Sequence, residues 1–463
     1  MRGGLRVEGL AVHGPAGAIL HSVSFEVAPG GTFTLLGESG SGKSLVLHAL
    51  MGTLSPDLRA SGRAFWNGTD LLGLPPRQRR QLWGRDICLL PQEPWLSLNP
   101  SMRAVDQVGE VYRHIHKAGA TRARRLAQGA LAAFGLSHFG RHYPHQMSGG
   151  MCQRVALATA RAGEGGLFLA DEPTKGLDAT RVEEVAEGLR HAASQGQTTV
   201  VVTHDLALAA RLGGEAAVLR DGLLLERGPV GRIVSAPSHA YTRALVEAQP
   251  VNWTTRRGAG TPGAAVVEAV GLGKGFGARR LFGGLDLAVP AGRIVAVTGP
   301  SGCGKSTLGN ILLGLCRPDR GLVRRRPGVA RHRFQKLYQD PPSSFAPELP
   351  VGQGFADLAR LHEIPLSALS PVLVRLGLAE ALLRRRPRQL SGGELQRLSL
   401  ARSLFLRPVF LFADEPSSRL DPLAQERVMQ LLAELVEEDG LAVLLVTHDE
   451  AIATRMAETR LRL

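Results

Sequence analysis

At 463 residues, 44% of them hydrophobic and 21% charged, the chain is long enough for roughly two to four soluble domains that each bury a core. No apolar run approaches the roughly 18–20 residues that cross a bilayer, the start MRGGLRVEGLAVHG lacks a signal peptide's apolar core, and Cys88, Cys152, Cys303 and Cys316 form no C-x-x-C pair. These features argue against a membrane span, secretion, a disulfide framework and a zinc or iron–sulfur site, and place the chain in the cytoplasm. The formal net charge of +14 is almost all arginine, with only six lysines, which reads as compositional drift and solvated faces rather than a nucleic-acid patch.

The first informative elements in chain order are the strand-like TFTLL, the stretch GESGSGKS at 37–44 and the helix-compatible LVLHALMG. The stretch fits G-x-x-x-x-G-K-[ST] in the strand–loop–helix context that the pattern requires. Its glycines let successive backbone N–H groups converge on phosphate oxygens, the helix N-terminus adds positive potential, and the lysine adds a mobile cation. Gly37, Glu38, Ser39, Gly40, Ser41, Gly42 and Lys43 are candidate phosphate contacts, and the Ser44 hydroxyl a candidate magnesium ligand.

Gln92 follows in LLPQEP, then a mixed Ala/Leu/Arg stretch over 99–147 with a helix-compatible pattern. In MSGGMCQR, Ser148 is a good N-cap, and Gly149 and Gly150 permit a sharp turn into an apolar helix. FLADEP puts Asp171 and Glu172 at the end of an apolar strand, GLD supplies Asp178, and TTVVVT, patterned like a buried parallel strand, leads to His204. Singly, each could be an ordinary cap, loop acid or structural histidine.

The same order then returns. GRIVSAPSHAYTRALVEAQP and the Gly/Thr/Arg-rich VNWTTRRGAGTPGAA precede RIVAV and GPSGCGKS, which contains Gly299, Pro300, Ser301, Gly302, Cys303, Gly304, Lys305 and Ser306 and is followed by Thr307. Gln339 stands in LYQDPP, a second helix-compatible stretch covers 347–390, and LSGGELQR contains Ser391, Gly392 and Gly393. FLFADEP carries Asp414 and Glu415, RLD carries Asp421, and LVTHD carries His448. The signature serine lies 23 residues before the strand-end aspartate in both halves, and that aspartate 7 before the next. The strand-end aspartate is 33 and 34 residues before the histidine. Lysine to glutamine is 49 residues against 34, since the second half lacks a counterpart of WNGTDLLGLPPRQRR. The spacing predicts a duplication: a first domain over 1–250, a linker over 251–265 and a second domain over 266–463. Cys303, beside a helix N-terminus that lowers thiol pKa values, reads as a small residue at a permissive position.

Both halves resemble ABC (ATP-binding cassette) ATPases over nearly the whole chain, in that family's order of Walker A, Q-loop, SGG signature, Walker B, D-loop and H-loop. The resemblance implies an α/β fold: two P-loop NTPase (RecA-like) nucleotide-binding domains with mostly parallel sheets, each with an antiparallel β region and a helical subdomain. It also implies head-to-tail pairing, with 37–44 facing Ser391, Gly392 and Gly393, and 299–306 facing Ser148, Gly149 and Gly150. ATP and Mg2+ are the implied cofactors. Ser44, Gln92 and Asp171, and Ser306, Gln339 and Asp414, would surround the metal, while Glu172 and Glu415 activate water. His204 and His448 would contact the γ-phosphate, Asp178 and Asp421 would communicate between halves, and Phe276 would stack on adenine, where the first half has only His13. Both halves keep every catalytic residue type, so two hydrolytic sites are expected. Met151 and Glu394 depart from the glutamine that often follows SGG.

The APSHAYTRAL tail, GSGKSLVLHALMG and YPHQMSGGMCQR resemble the D-type subunit of the peptide/nickel (oligopeptide/dipeptide permease) importer family, and LYQDPPSSFAP its F-type subunit. The resemblance implies an ATPase, peripheral on the cytoplasmic face of the inner (plasma) membrane, that drives uptake through two transmembrane permease subunits supplied by an extracytoplasmic solute-binding protein. No nucleic acid partner is expected. No cysteine falls between Cys152 and Cys303, where peptide-importing members often carry a cluster, which points towards the nickel or metallophore branch. The rivals are an ATPase of phosphonate-degrading machinery and a tandem translation factor on ribosomes, for whose long charged linker 251–265 has no room. A DNA-repair ATPase would need zinc-binding cysteines. The end at Leu463, soon after His448, predicts no C-terminal regulatory domain.

Overall fold

Alternating buried and exposed residues give β1 (Leu5–Gly14) and β2 (Gly17–Val27), one face of each turned to the core. In the computed structural model, which describes residues 4–463 except 93, 175–176, 178, 256–262, 278, 301, 339 and 418–419, the chain divides into two units, Met1–Val246 and Glu247–Leu463.

The first unit continues with β3 (Thr32–Leu36), α1 (Lys43–Met51), β4 (Arg59–Trp66), β5 (Thr69–Asp70), α2 (Pro76–Leu82), β6 (Ile87–Leu90) and α3 (Pro94–Ser97). A helical subdomain of α4 (Ala104–His114) and α5 (Ala120–Ala133) leads to α6 (Gly149–Arg161). Then come β7 (Leu167–Asp171), α7 (Ala179–Ser194), β8 (Thr198–Thr203), α8 (Leu206–Leu212), β9 (Glu215–Arg220), β10 (Leu223–Pro229), α9 (Val230–Ser235) and α10 (Ala240–Glu247). An antiparallel sheet runs β2-β1-β4-β5, and the second sheet runs β10-β9-β3-β8-β7-β6. That second sheet is parallel except for the β9–β10 hairpin. β7 and β8 are buried along their whole length, as strands covered on both faces must be. Phe25 of β2 stacks on Phe33 of β3 at 4.3 Å, joining the two sheets.

The second unit repeats the plan with β11 (Ala265–Phe276), β12 (Arg279–Pro290), β13 (Ile294–Thr298), α11 (Lys305–Leu313), β14 (Arg320–Arg325) and β15 (Phe334–Leu337). It continues with α12 (Val351–His362), α13 (Leu369–Arg375), α14 (Gly392–Phe405), β16 (Phe410–Asp414), α15 (Pro422–Asp439), β17 (Ala442–Val446), α16 (Glu450–Met456) and β18 (Thr459–Arg462). Its sheets run β12-β11-β14, antiparallel, and β15-β16-β17-β13-β18, parallel. The spacing difference ahead of the two glutamines is accounted for by β5 and α2, which the second unit replaces with a short 3-10 turn, Arg331–Arg333.

Packing has diverged in step. The position four residues after the loop lysine is Leu47 in the first unit and Gly309 in the second, and the residue two before the strand-end aspartate is Leu169 or Phe412, the two leucines sharing one core. A Cβ on Gly309 would lie 2.2 Å from the Phe412 ring. The missing side chain leaves the Phe412 ring room to pack directly against the helix backbone.

Pro250–Asn252 forms a 3-10 turn, and Trp253 is buried in the core of the second unit, its Nε1 donating to the Ala248 carbonyl at 3.0 Å. Arg455 of α16 donates to the carbonyl of Val251 at 2.8 Å and to Thr255 Oγ1 at 3.3 Å. Residues 251–255 of the expected linker are thus tied to the second unit. Among the described residues no helix is long and apolar enough to cross a membrane.

Candidate functional site

The loop between β3 and α1 is built around glycines at positive φ: Gly37 at 150°, Gly40 at 87° and Gly42 at 93°. Gly299, Gly302 and Gly304 repeat this at 142°, 79° and 113°. At Gly37 a Cβ would meet the Leu219 carbonyl oxygen at 2.2 Å, and at Gly299 the Leu463 carbonyl oxygen at 2.6 Å, so neither position tolerates a side chain. Inside each loop the same turn closes, Ser41 N donating to Glu38 O and Cys303 N to Pro300 O, each at 3.3 Å. Lys43 is buried and donates to the carbonyls of Gly37 (2.9 Å) and Glu38 (2.6 Å) and to Ser41 Oγ (3.3 Å). Lys305 donates to Gly299 O (2.7 Å) and Pro300 O (3.1 Å). Ser44, Ser306 and Thr307 fall in the first turns of α1 and α11. Ser39 is exposed, and Ser301 lies outside the described residues.

β7 and β16 end in Asp171 and Asp414, both buried. The next residues, Glu172 and Glu415, take left-handed φ values of 49° and 51°, costly for a non-glycine residue. Their N–H groups still bond the neighbouring strand, at Val202 O (2.8 Å) and Val446 O (2.9 Å), so the bend comes just where the ladder stops. It turns each carboxylate towards its own unit's histidine. Glu172 Oε1 lies 2.8 Å from His204 Nδ1 and its Oε2 accepts from Thr203 Oγ1 at 3.1 Å, while Glu415 Oε1 lies 3.3 Å from His448 Nδ1.

Burial opposes protonation of His204, but the charge and hydrogen bond of Glu172 outweigh it and hold the imidazole above its ordinary value. At His448 the Glu415 hydrogen bond is the largest effect, ahead of the opposing burial, with the same net direction. Burial pushes the Asp414 carboxyl up, against a hydrogen bond from Ser306 and the charges of Lys336 and Lys305. A buried carboxylate beside a serine hydroxyl is a pair of hard oxygen donors that suits Mg2+, whose charge would offset the cost of burying the anion.

Ser148 caps α6, accepting from Met151 N at 3.4 Å, and Ser391 caps α14, accepting from Glu394 N at 3.2 Å. The departures from glutamine separate the two caps. Glu394 closes a capping box, accepting from Ser391 N and Oγ, both at 2.8 Å, whereas Met151 has no carboxylate to do so. Gly149 and Gly150, and Gly392 and Gly393, form the first turns of these helices.

The Gln-Arg pair after each signature holds this turn in place, a role that its repetition hinted at but did not define. Gln153 Nε2 donates to Pro173 O at 2.6 Å and Gln396 Nε2 to Pro416 O at 2.5 Å, tying the signature helix to the carboxylate loop. Arg154 reaches Phe134 O at 2.7 Å and Arg397 reaches Leu376 O at 3.1 Å, tying it to the helical subdomain.

The remaining candidates lie apart from this cluster or serve other contacts. Gln92 is exposed after β6. Phe276 is 58% exposed at the end of β11, with Lys274 Nζ 5.2 Å from its ring centre. His13 pairs with Ala18 and Arg59 in its sheet. Asp421 caps α15, accepting from Ala424 N at 3.0 Å. Asp178 and Gln339 lie outside the described residues.

As chemistry, each unit can hold nucleotide phosphates on one loop and activate a water beside them with a strand-end glutamate. That defines a P-loop ATPase, present twice. A model of the family described as ABC transporter matches residues 20–175 and 282–418. The chain is 33% identical over 479 residues to the peptidoglycan transport ATP-binding protein YejF of Agrobacterium fabrum, across 96% of this chain and 87% of that protein. It is 31% identical to the glutathione import ATP-binding protein GsiA of Pectobacterium atrosepticum, across 95% of this chain and 80% of that protein. A solved structure titled RNase-L Inhibitor matches with a TM-score of 0.69 at 21% identity, over 98% of this chain and 87% of that one, a likeness of fold alone. The chain belongs to the ABC transporter family, as a tandem ABC ATPase that carries both cassettes in one polypeptide.

Proposed function

We propose that the chain hydrolyses ATP at two sites formed head to tail between its units, and that their closing and opening drives solute uptake through separate permease subunits. The observation that carries the reading is the duplicated set: loop lysine, strand-end aspartate, left-handed glutamate and paired histidine occur in both halves. Each P-loop would bind the phosphates while the opposite signature turn, Ser391 to Gly393 or Ser148 to Gly150, offers its hydroxyl and N–H groups to the γ-phosphate. Glu172 and Glu415 would accept a proton from the attacking water, with His204 and His448 orienting them. Ser44 with Asp171, and Ser306 with Asp414, would hold Mg2+, with Gln92 and Gln339 reaching its water shell. The bound ion supplies neutralisation of phosphate charge. Asp178 and Asp421 would border the pairing surface, and Phe276 would meet the adenine.

The partners in this reading are two permease subunits and a solute-binding protein, with the chain at the cytoplasmic face of the membrane. The names of the relatives speak of peptidoglycan and glutathione, both molecules that contain peptide bonds, which favours a peptide-containing cargo. The absence of cysteine between Cys152 and Cys303 favours the nickel or metallophore reading as the second choice. Uptake of labelled oligopeptides and of chelated nickel by cells deleted for this gene separates them. Restoration of one uptake by the wild-type chain, and not by Glu172→Gln/Glu415→Gln, supports the reading; unchanged uptake of both on deletion overturns it.

A further inference from the structure

The two phosphate loops differ at one position in a way that a distant element answers. Residue two of the loop is Glu38 in the first unit and Pro300 in the second. Proline has no N–H and fixes its own φ, so the second loop needs no acceptor there. Glu38 keeps its N–H, and this donates to the hydroxyl of Tyr241, 203 residues later, at 3.1 Å.

Tyr241 is itself held on every side. Its ring is buried beneath the Arg220 guanidinium, 4.8 Å from the ring centre, and Arg220 Nε lies 3.5 Å from Glu38 Oε1. Its backbone N donates to His239 Nδ1 at 3.1 Å. The approach to α10 is clamped by buried Glu226 of β10, which accepts from Ser238 N (2.9 Å), Ser238 Oγ (2.6 Å) and His239 N (3.0 Å). Although burial works against its charge, these bonds hold the Glu226 carboxyl down to about 2. Ser238 and His239 of the tail motif thus help to set the Tyr241 hydroxyl against the phosphate loop.

We propose that Tyr241 is a positioning residue for the first phosphate loop, supplying from the tail helix the restraint that Pro300 builds into the second loop. The inference rests on the reading of 37–44 as a nucleotide loop, but not on how the two units pair. With the Tyr241 hydroxyl in place the Glu38 peptide is fixed, and the N–H groups that follow it stay aimed at the phosphate position. Without it that peptide is freed and the loop binds nucleotide more weakly, at one site only.

The test is calorimetric titration of the full chain with MgADP, which needs only the P-loops and not closure between units. Tyr241→Phe keeps the buried ring and deletes the hydroxyl. The expected result is a Kd raised about 3- to 10-fold at one of the two sites and unchanged at the other, the size of one lost hydrogen bond. In a Glu38→Pro background, which gives the first loop the sequence solution of the second, Tyr241→Phe should change the ADP affinity by less than about 2-fold. Equal affinities for wild type and Tyr241→Phe, a lower melting temperature alone, or an undiminished effect in the Glu38→Pro background would each overturn the inference. Failure of the wild-type chain to bind MgADP at all would instead overturn the nucleotide-loop reading beneath it.

Discussion

Glu172 bends out of its strand at φ 49° and sets its carboxylate 2.8 Å from Nδ1 of His204. The second unit repeats the pairing between Glu415, at φ 51°, and His448, at 3.3 Å. Left-handed backbone at a non-glycine residue costs on the order of 1–3 kcal/mol, and here it turns each carboxylate towards the histidine of its own unit.

Replacing this carboxylate by its amide removes the proposed base while keeping shape. Glu172→Gln/Glu415→Gln should lower kcat for ATP by about 100- to 10,000-fold, the ordinary worth of a general base, with ADP binding retained. A steady-state phosphate-release assay checks this, and turnover at the wild-type rate would remove both glutamates from the chemistry.

The same pairs have a pH signature. Both imidazoles titrate above 6.5, so the stability that their protonation contributes is complete below about 6.5 and fades as pH rises through the raised value. In Glu172→Gln the burial of His204 and the charge of Lys43 are opposed only by Asp205, and its titration midpoint should fall from the wild-type value. Imidazole NMR titration of wild type and variant measures the difference, and an unmoved midpoint would show that the carboxylate does not set it.

The loop glycines fail for a steric reason that differs from loss of a ligand. Gly37→Ala drives a methyl to 2.2 Å from the Leu219 carbonyl oxygen, and Gly299→Ala to 2.6 Å from that of Leu463. Each should weaken MgADP binding at its own site by at least about 10-fold and cost on the order of 1–3 kcal/mol of stability. Calorimetry and denaturant melts report the two effects separately, and wild-type affinity in both variants would show that the loops are not held as described.

Gly309 and Phe412 allow a packing test away from the chemistry. Gly309→Leu alone overfills the space under the ring and should destabilise the second unit by about 1–3 kcal/mol or more. Gly309→Leu with Phe412→Leu gives the second unit the two leucines that the first unit buries in one core, Leu47 and Leu169, and should recover most of that loss. Thermal melts of the single and double variants decide it, since no recovery would mean that the two positions do not share one volume.

What the sequence determined by itself is local. TFTLL and TTVVVT coincide with β3 and β8 at both ends, the signature serines cap their helices, and each loop lysine opens its helix. These follow from strand burial patterns, capping and glycine turns, which act over a few residues, and their repetition at matched spacing identified the family. What only the tertiary structure decided is long-range: the Tyr241 hydroxyl on the Glu38 N–H, the Gln153 amide on Pro173 O, the ring of Phe412 beneath Gly309, and the left-handed turn of Glu172 towards His204. Such pairings arise when burial closes the chain on itself, and the residues that meet then share no local pattern for a sequence to display.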